Sequence, residues 1–576
     1  MILILCAWIF HFFLSVSLGY GLLWVISKVT RQPVYPISIF YQFWVGFIVL
    51  IGLLQIVSLF VPVNKYVFAG TSILALTVAA FNAKLIMQRV GELFNELFTT
   101  RGVVLAVISG ILLLVIAYSA NREVLHSDTF IYHYNAVKWA REYPAVPGLA
   151  NLHSRLGFNS SFFLFAAFTE MGMYYNHSAH IAVSFMMAVC SMQWLFVIAS
   201  TRETITKRIF CMMTFLFLLL HIISQIDITS LSTDYPMAVV CLVFCLVLLD
   251  KTPYKNLLLL SLAAVAFSFK LSGMLTIAFA LLVFVFAIAG VYRSDEPAIA
   301  RAGWYRSFIA SFVFFSLLVA GFVARNIVVS GWLVYPFPIG NLHLPWSVPE
   351  PYVLDLMAWI KSYPKIPGGV SPAVINEHGF LFWFTQWFPA FKLQVEADLL
   401  FGSLFILAWS ALQVKKFGRF LLGHTNEVIL TLFAFASIAF WFTSAPELRF
   451  GSIYFFLFFA ASVVLFYQGS RYKPILKILI GVLFIGQIIY RMPSYVFHAK
   501  PKLFTFEYTR QPKLRQVVGS PTGETPELML YMPAEGDACG NSPLPCTPYA
   551  GGYLHNHRLI KQRVPGDISK GFLPTE

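Results

Sequence analysis

Five well-separated segments carry ionisable side chains at the edges of apolar sequence. The first, His126-Ser127-Asp128-Thr129-Phe130-Ile131-Tyr132-His133, surrounds one carboxylate with two imidazoles and a phenol, and Arg155 follows in the same polar stretch. The others are Ser232-Thr233-Asp234-Tyr235-Pro236, Ser268-Phe269-Lys270-Leu271-Ser272-Gly273, Ala324-Arg325-Asn326 and Pro446-Glu447-Leu448-Arg449-Phe450. A carboxylate can take the proton of an attacking hydroxyl, while Lys and Arg hold phosphate oxygens and stabilise charge on a departing phosphate. Acids and bases gathered beside a lipid leaflet therefore suit group transfer from a lipid phosphate. Taken singly, Lys270 or Arg325 reads as a snorkelling cation or half of a structural ion pair, because charge near a helix end costs little. Five such segments at one depth point instead to function.

The elements that must position these residues are membrane helices. The 576-residue chain is 59% hydrophobic and 11% charged, with mean hydropathy +0.75, against about 45–50% apolar and about 25% charged in soluble chains. A soluble protein is excluded. Apolar runs long enough to span predict an all-α polytopic protein of about fourteen helices: Ile2–Val29, Ile37–Val63, Tyr66–Met87, Val103–Ala120, His177–Ser200, Ile209–Ile226, Tyr235–Leu249, Asn256–Lys270, Leu271–Tyr292, Phe308–Val329, Asp398–Val414, Glu427–Thr443, Phe450–Tyr467 and Pro474–Tyr490. Ser160–Tyr175 is apolar but short, and reads as interfacial or re-entrant.

Positively charged short loops stay cytoplasmic. Lys28/Arg31, Lys84/Arg89/Arg101, Arg202/Lys207/Arg208, Lys251/Lys255, Arg293/Arg301/Arg306, Lys415/Lys416/Arg419 and Arg471/Lys473/Lys477 mark that side with about nineteen bases. Both termini then lie outside the cytoplasmic membrane, as do loops 121–159 and 330–394 and the tail 491–576, which follows the membrane domain 1–490. In the first loop Ser127 or Asp128 can cap a helix whose Phe130, Tyr134, Val137 and Trp139 share a face along the membrane. The tail is rich in turn signals, such as 519–523 and 541–545, and reads as a small irregular cap. Its Cys539 and Cys546 form a candidate disulfide in an oxidising compartment, whereas the other five cysteines lie in apolar runs as small hydrophobes. The net charge of +14 is spread between apolar runs, not gathered with stacking aromatics, so nucleic acid is no expected partner.

At the five charged segments the chain resembles the GT-C superfamily, multi-spanning glycosyltransferases that use polyprenyl-phosphate-linked sugars. Asp128 matches that superfamily's acid in the first outer loop, its usual catalytic base. The run from Arg325-Asn326 through Gly331 to Tyr335-Pro336 is similar to a pattern in many bacterial members, and Lys270-Leu271-Ser272-Gly273 and Pro446-Glu447-Leu448-Arg449-Phe450 look like its Lys-x-x-Gly and Pro-Glu-x-Arg-aromatic turns. The resemblance covers roughly residues 100–470. It implies an inverting transferase of polysaccharide or other envelope biosynthesis. Asp128 would be the base and Lys270, Arg325 and Arg449 would hold the departing lipid phosphate. His126, Tyr132, His133, Arg155, Asp234 and Glu447 would support them, with Asp234 and Glu447 pairing or orienting the bases. The partners implied are a polyprenyl-phosphate sugar, membrane lipids and an envelope glycan, lipid or protein acceptor. No cofactor is expected. A paired Asp-Asp or Asp-x-Asp is absent from the first loop, and His126, His133 and His153 lack a three-ligand spacing, so no metal site is assigned, though a divalent metal stays open. The tail around Asp537-Ala538-Cys539 and Pro545-Cys546-Thr547-Pro548 looks like that of an uncharacterised group of bacterial envelope proteins. The rival expectations are a transporter or flippase of lipid-linked sugars, a polysaccharide polymerase or ligase, and an assembly scaffold. A transporter places its binding groups near the bilayer midplane and in repeated halves. Here helix centres hold almost no ionisable residues and no repeat is seen.

Overall fold

In lipid, backbone N–H and C=O groups must find partners inside their own segment, so apolar runs of this length become helices. The structure is a computed structural model that describes residues 1–84, 86–88, 91, 99–293, 298–414, 417–470, 473–491, 502–507, 511–519, 525–548 and 560–574. Arg89, Lys415, Lys416, Arg471 and the turn at 520–523 lie outside the described residues. The principal helices are α1 (Ile2–Thr30), α2 (Ile39–Val57), α3 (Lys65–Phe81), α4 (Thr100–Ala120), α5 (Tyr134–Glu142), α6 (Ser161–Thr169), α7 (Ser178–Ala199), α8 (Ile205–Ile223) and α9 (Asp234–Leu248). They continue with α10 (Lys255–Phe269), α11 (Met274–Tyr292), α12 (Ala298–Ser330), α13 (Glu350–Ser362), α14 (Pro372–Phe391), α15 (Val395–Gln413), α16 (Thr425–Ser444), α17 (Leu448–Gly469) and α18 (Lys473–Arg491).

Among the described residues ten helices are long and apolar enough to cross a membrane, namely α1, α2, α4, α7, α8, α11, α12, α15, α16 and α17. The protein is therefore a multi-pass, helical membrane protein in contact with lipid. Three further apolar helices are shorter: α3 has 17 residues and α9 and α10 have 15 each. Every residue of α9 is buried. Its C-terminal end is level with its neighbours, because Asp250 accepts from Tyr41 at the start of α2 (2.7 Å) and pairs with Lys207 at the start of α8 (2.8 Å).

Contacts of the chain ends show which elements share a face. The Met1 amino group donates to the Lys502 and Leu503 carbonyls, both at 3.0 Å, and the Asn121 amide donates to Lys502 O (2.7 Å) and Thr505 O (3.1 Å). The N-terminus, the first loop and the start of the tail therefore meet at one end. Lys207, Asp250 and Lys255, from base-rich loops, meet at the other, where Lys255 Nζ donates to Leu248 O at 2.6 Å.

One expectation gains detail and one needs correction. Segment 330–394 holds α13 and α14, the latter broken at Gly379 (φ 73°) into two pieces, the second carrying aromatics from Phe380 to Phe391. The tail is not irregular throughout, since β1 (Leu514–Val518) pairs antiparallel with β2 (Met529–Pro533), and β3 (Lys561–Gln562) with β4 (Phe572–Leu573). Cys539 and Cys546 are joined in a disulfide. This cap packs on the first loop, where Trp139, Leu149, Leu152, Leu528, Leu530 and Phe572 share a core. The short apolar stretch after Asn159 forms α6, nine residues and wholly buried.

α1 and α2 cross where Gly19 and Gly46 remove side chains, the close approach typical of small residues between membrane helices. A Cβ on Gly46 would stand 1.6 Å from the Ser15 carbonyl oxygen, while one on Gly70 of α3 would meet nothing within 4 Å. Gly46→Leu is expected to cost about 1–3 kcal/mol by overpacking and to lower the melting temperature in detergent, whereas Gly70→Leu leaves it unchanged.

Candidate functional site

Asp128 opens a π-helical turn, Thr129–His133, that runs directly into α5. Such widened turns are rare and concentrate at functional sites. The carboxylate makes no helix cap, contrary to the capping expectation. It accepts instead from Arg449 Nη1 at Oδ2 (2.7 Å) and from Arg155 Nη1 at Oδ1 (3.4 Å). Burial pushes its pKa up, but Arg449, then His133, Arg155 and His126, outweigh that and hold it at about 2. Asp128 is therefore an anion at neutral pH.

The flanking residues fix this turn. The rings of His126 and His133 stack with centroids 5.8 Å apart, and the Thr129 hydroxyl lies 3.4 Å from the Nδ1 of each. Burial pulls both imidazoles below their ordinary pKa, so they are neutral near pH 7. Thr129 Oγ1 also accepts from Leu231 N (3.1 Å), tying the turn to the strand of chain that leads into Asp234. Tyr132 lies under the Arg155 guanidinium, 5.6 Å from ring centroid to Cζ, and burial raises its phenol pKa. The C-terminal cap closes over the turn, with Gly540 N donating to Phe130 O (2.7 Å) and Lys138 Nζ to Ser542 O (2.8 Å).

Asp234 and Lys270 form the second centre. They end the two short helices α9 and α10 on the same side and make an ion pair, with side chains 7% and 22% exposed. Ser232 Oγ donates to the other Asp234 oxygen at 3.0 Å. Lys270 leaves α10 in extended conformation, and the tight hairpin requires Gly273, where a Cβ would stand 2.8 Å from the Ala266 carbonyl. Ser160 Oγ donates to Phe269 O (2.7 Å) and Ser161 meets Ser268 (2.5 Å), so the first loop also holds this hairpin. The Lys270 ammonium sits 3.6 Å from the Phe450 ring centroid, a cation–π contact. Phe450 follows Arg449, so one chain of contacts links Arg155, Asp128, Arg449, Phe450, Lys270 and Asp234. Its three cations face two carboxylates, leaving one positive charge in excess.

Arg325 is not in this chain. Its Nη1 donates to Ser58 Oγ at 3.2 Å, and among the described residues no acid pairs with it. The run that follows it acts on Arg155: the Tyr335 hydroxyl donates to Ser154 O (3.2 Å), and a Cβ on Gly157 would stand 2.7 Å from the Tyr335 ring. Glu447 makes no ion pair with a base among the described residues; its backbone carbonyl accepts from Trp441 Nε1 at 2.7 Å. His153 lies buried in the turn before Arg155, with its pKa pulled down to about 3 by burial and then by Arg155. Among the described residues no three His, Cys, Asp or Glu side chains come together as metal ligands.

The family described as "Domain of unknown function (DUF8201)" matches residues 1–456. The chain belongs to that family. No curated protein and no solved structure matches it. The DUF8201 segment contains every residue of the linked set, while the cap that covers the Thr129–His133 turn lies beyond it. Sequence reasoning passed over two parts of the family's polar end. Phe450 was visible only as the aromatic after Arg449. Asp227, which accepts from Tyr235 and meets His221 Nδ1 at 2.7 Å, carried the same signal as Asp234, an acid just past an apolar run.

Removing Lys270 strands a buried carboxylate, which typically costs about 3–5 kcal/mol. Lys270→Met is therefore expected to lower the detergent melting temperature, and Lys270→Met with Asp234→Asn to recover most of the loss.

Proposed function

We propose that this protein is an inverting, GT-C-like glycosyltransferase. On this reading it takes a sugar from a polyprenyl-phosphate donor and passes it to an envelope acceptor at the outer leaflet of the cytoplasmic membrane. The observation that carries it is the linked set around Asp128: two carboxylates and three cations from distant segments, at one end of the bundle, with one positive charge over. The end opposite holds the base-rich loops, which favours an extracytoplasmic site and extracytoplasmic termini.

In the reaction the acceptor oxygen bonds to the anomeric carbon as the carbon–oxygen bond to phosphate breaks, and the electron pair leaves on the phosphate. The acceptor proton goes to Asp128. Arg449, Lys270 and Arg325 stabilise the phosphate charge, and Arg325, a cation with no acid beside it, is suited to that part. In the free protein Arg449 and Arg155 lower the basicity of Asp128. A donor phosphate that drew Arg449 to itself would raise that basicity when the substrate is in place.

With purified protein and a labelled polyprenyl-phosphate sugar, Asp128→Asn is expected to lower turnover by about 10²–10⁴-fold. Retained turnover would refute Asp128 as the base. The pH profile gives a second check. The carboxyl stays ionised until pH falls through about 2, so wild-type kcat/KM should show no acid limb from Asp128 across pH 4–7. Arg449→Gln removes its largest counter-charge, raises the folded pKa and moves that limb to higher pH.

A further inference from the structure

Beside the linked set lies a cavity of about 270 Å³, bounded by the turn 363–369 after α13, the C-terminal end of α14 and Pro446-Glu447-Leu448. Leu448 alone separates Glu447 from Arg449, the residue that holds Asp128 at 2.7 Å. α14 is tied to the 446–448 segment at this space, since the Trp387 indole donates to Pro446 O at 3.1 Å, and within α14 its ring stacks on Phe391 with centroids 4.6 Å apart.

The lining has a definite chemistry. Glu447 is its one carboxylate and no Lys, Arg or His contributes to it, so it does not suit a phosphate. The Glu447 carboxylate has no hydrogen-bond donor among the described residues, and Gln394 adds an exposed amide. Tyr363 is 57% exposed, with one edge of its ring on Gly369, where a Cβ would stand 2.3 Å from the ring. Gly368 and Gly369 both have φ of 89°, and a Cβ on Gly368 would meet nothing within 4 Å, so bare backbone faces the open space. An aromatic face, a free carboxylate and an amide are what a hydroxyl-rich ring needs: the face takes its C–H edge, and the oxygens accept from its hydroxyls. The volume lies just below the range of ligand cavities, about 300–1,000 Å³.

We propose that this cavity is a subsite for a neutral saccharide, with Glu447 accepting from its hydroxyls and Tyr363 packing on its face. Taken with the transferase reading, on which this role rests, the bound saccharide is the acceptor, so the acceptor is a glycan. Its reactive hydroxyl would extend past Leu448 toward Asp128.

The test uses the full chain in lipid nanodiscs free of sugar detergent. Maltose, cellobiose, lactose and diacetylchitobiose are probed by saturation-transfer NMR, with choline and inorganic phosphate as competing chemistries. At least one disaccharide should bind, about tenfold more weakly to Glu447→Gln and not to Tyr363→Ala, while Gly70→Leu binds as wild type and all three variants keep their melting temperature. Binding of no disaccharide, equal binding by the cavity variants, or choline or phosphate displaced by Glu447→Gln or Tyr363→Ala would overturn the subsite. If saccharide binding follows the cavity variants but no polyprenyl-phosphate sugar is turned over, the subsite stands and the transferase reading falls. If turnover persists in Glu447→Gln with an unchanged acceptor KM, the subsite falls and the transferase stands.

Discussion

A charge at the end of a membrane helix must be neutralised by whatever the fold brings beside it, and this requirement organises the polar end of the molecule. Asp128 is held by two guanidinium groups and Lys270 by Asp234 and the face of Phe450. None of these partners is close in sequence. The short helices, the first loop and the start of α17 must therefore all assemble before every one of the charges is satisfied. Neighbouring bonds serve the same assembly. Ser160 and Ser161 fasten the first loop to the α10 hairpin, Thr129 fastens it to the chain entering α9, and Tyr335 supports the turn that carries Arg155.

Much of this was legible in the chain, for different reasons in different places. Hydropathy located the long helices because a lipid-facing segment must be apolar along its whole length. It does not distinguish the roles of α9 and α10, since a buried helix is just as apolar as a spanning one and 15 residues decide nothing by composition. Asp128, Asp234, Lys270 and Arg449 could be grouped because each interrupts apolar sequence on the same side of the topology. Arg325 satisfied that rule too, yet its hydrogen bond goes to Ser58, and periodicity carries no information about which neighbour a cation finds. Glu447 shows the converse: the sequence suggested a partner for a base, and among the described residues its carboxylate pairs with none, while the residue lines a cavity. The helices inside segment 330–394 were not legible because α14 is interrupted at Gly379 and packs through aromatics without a spanning-length apolar run.

The C-terminal cap adds a dependence that family boundaries conceal. The matched segment ends within α17, but the Thr129–His133 turn is bonded on its outer side to Gly540, and Asn135 donates to the same residue's carbonyl at 3.0 Å. Gly540 sits next to Cys539, whose disulfide closes that loop of the cap. The turn that aims Asp128 is thus clamped between the membrane helices beneath it and a tail outside the family match.

The pairing of α9 with α8 has a further consequence. Asp250, just past the end of α9, pairs with Lys207 in the first turn of α8, and at their other ends the His221 and Tyr235 rings lie 4.9 Å apart. The two helices therefore run in step over about 22 Å at about 1.5 Å per residue. A pair braced by polar contacts at both ends resists sliding along its own axis. Asp234 thus keeps a fixed depth however the lipid-facing helices around it tilt.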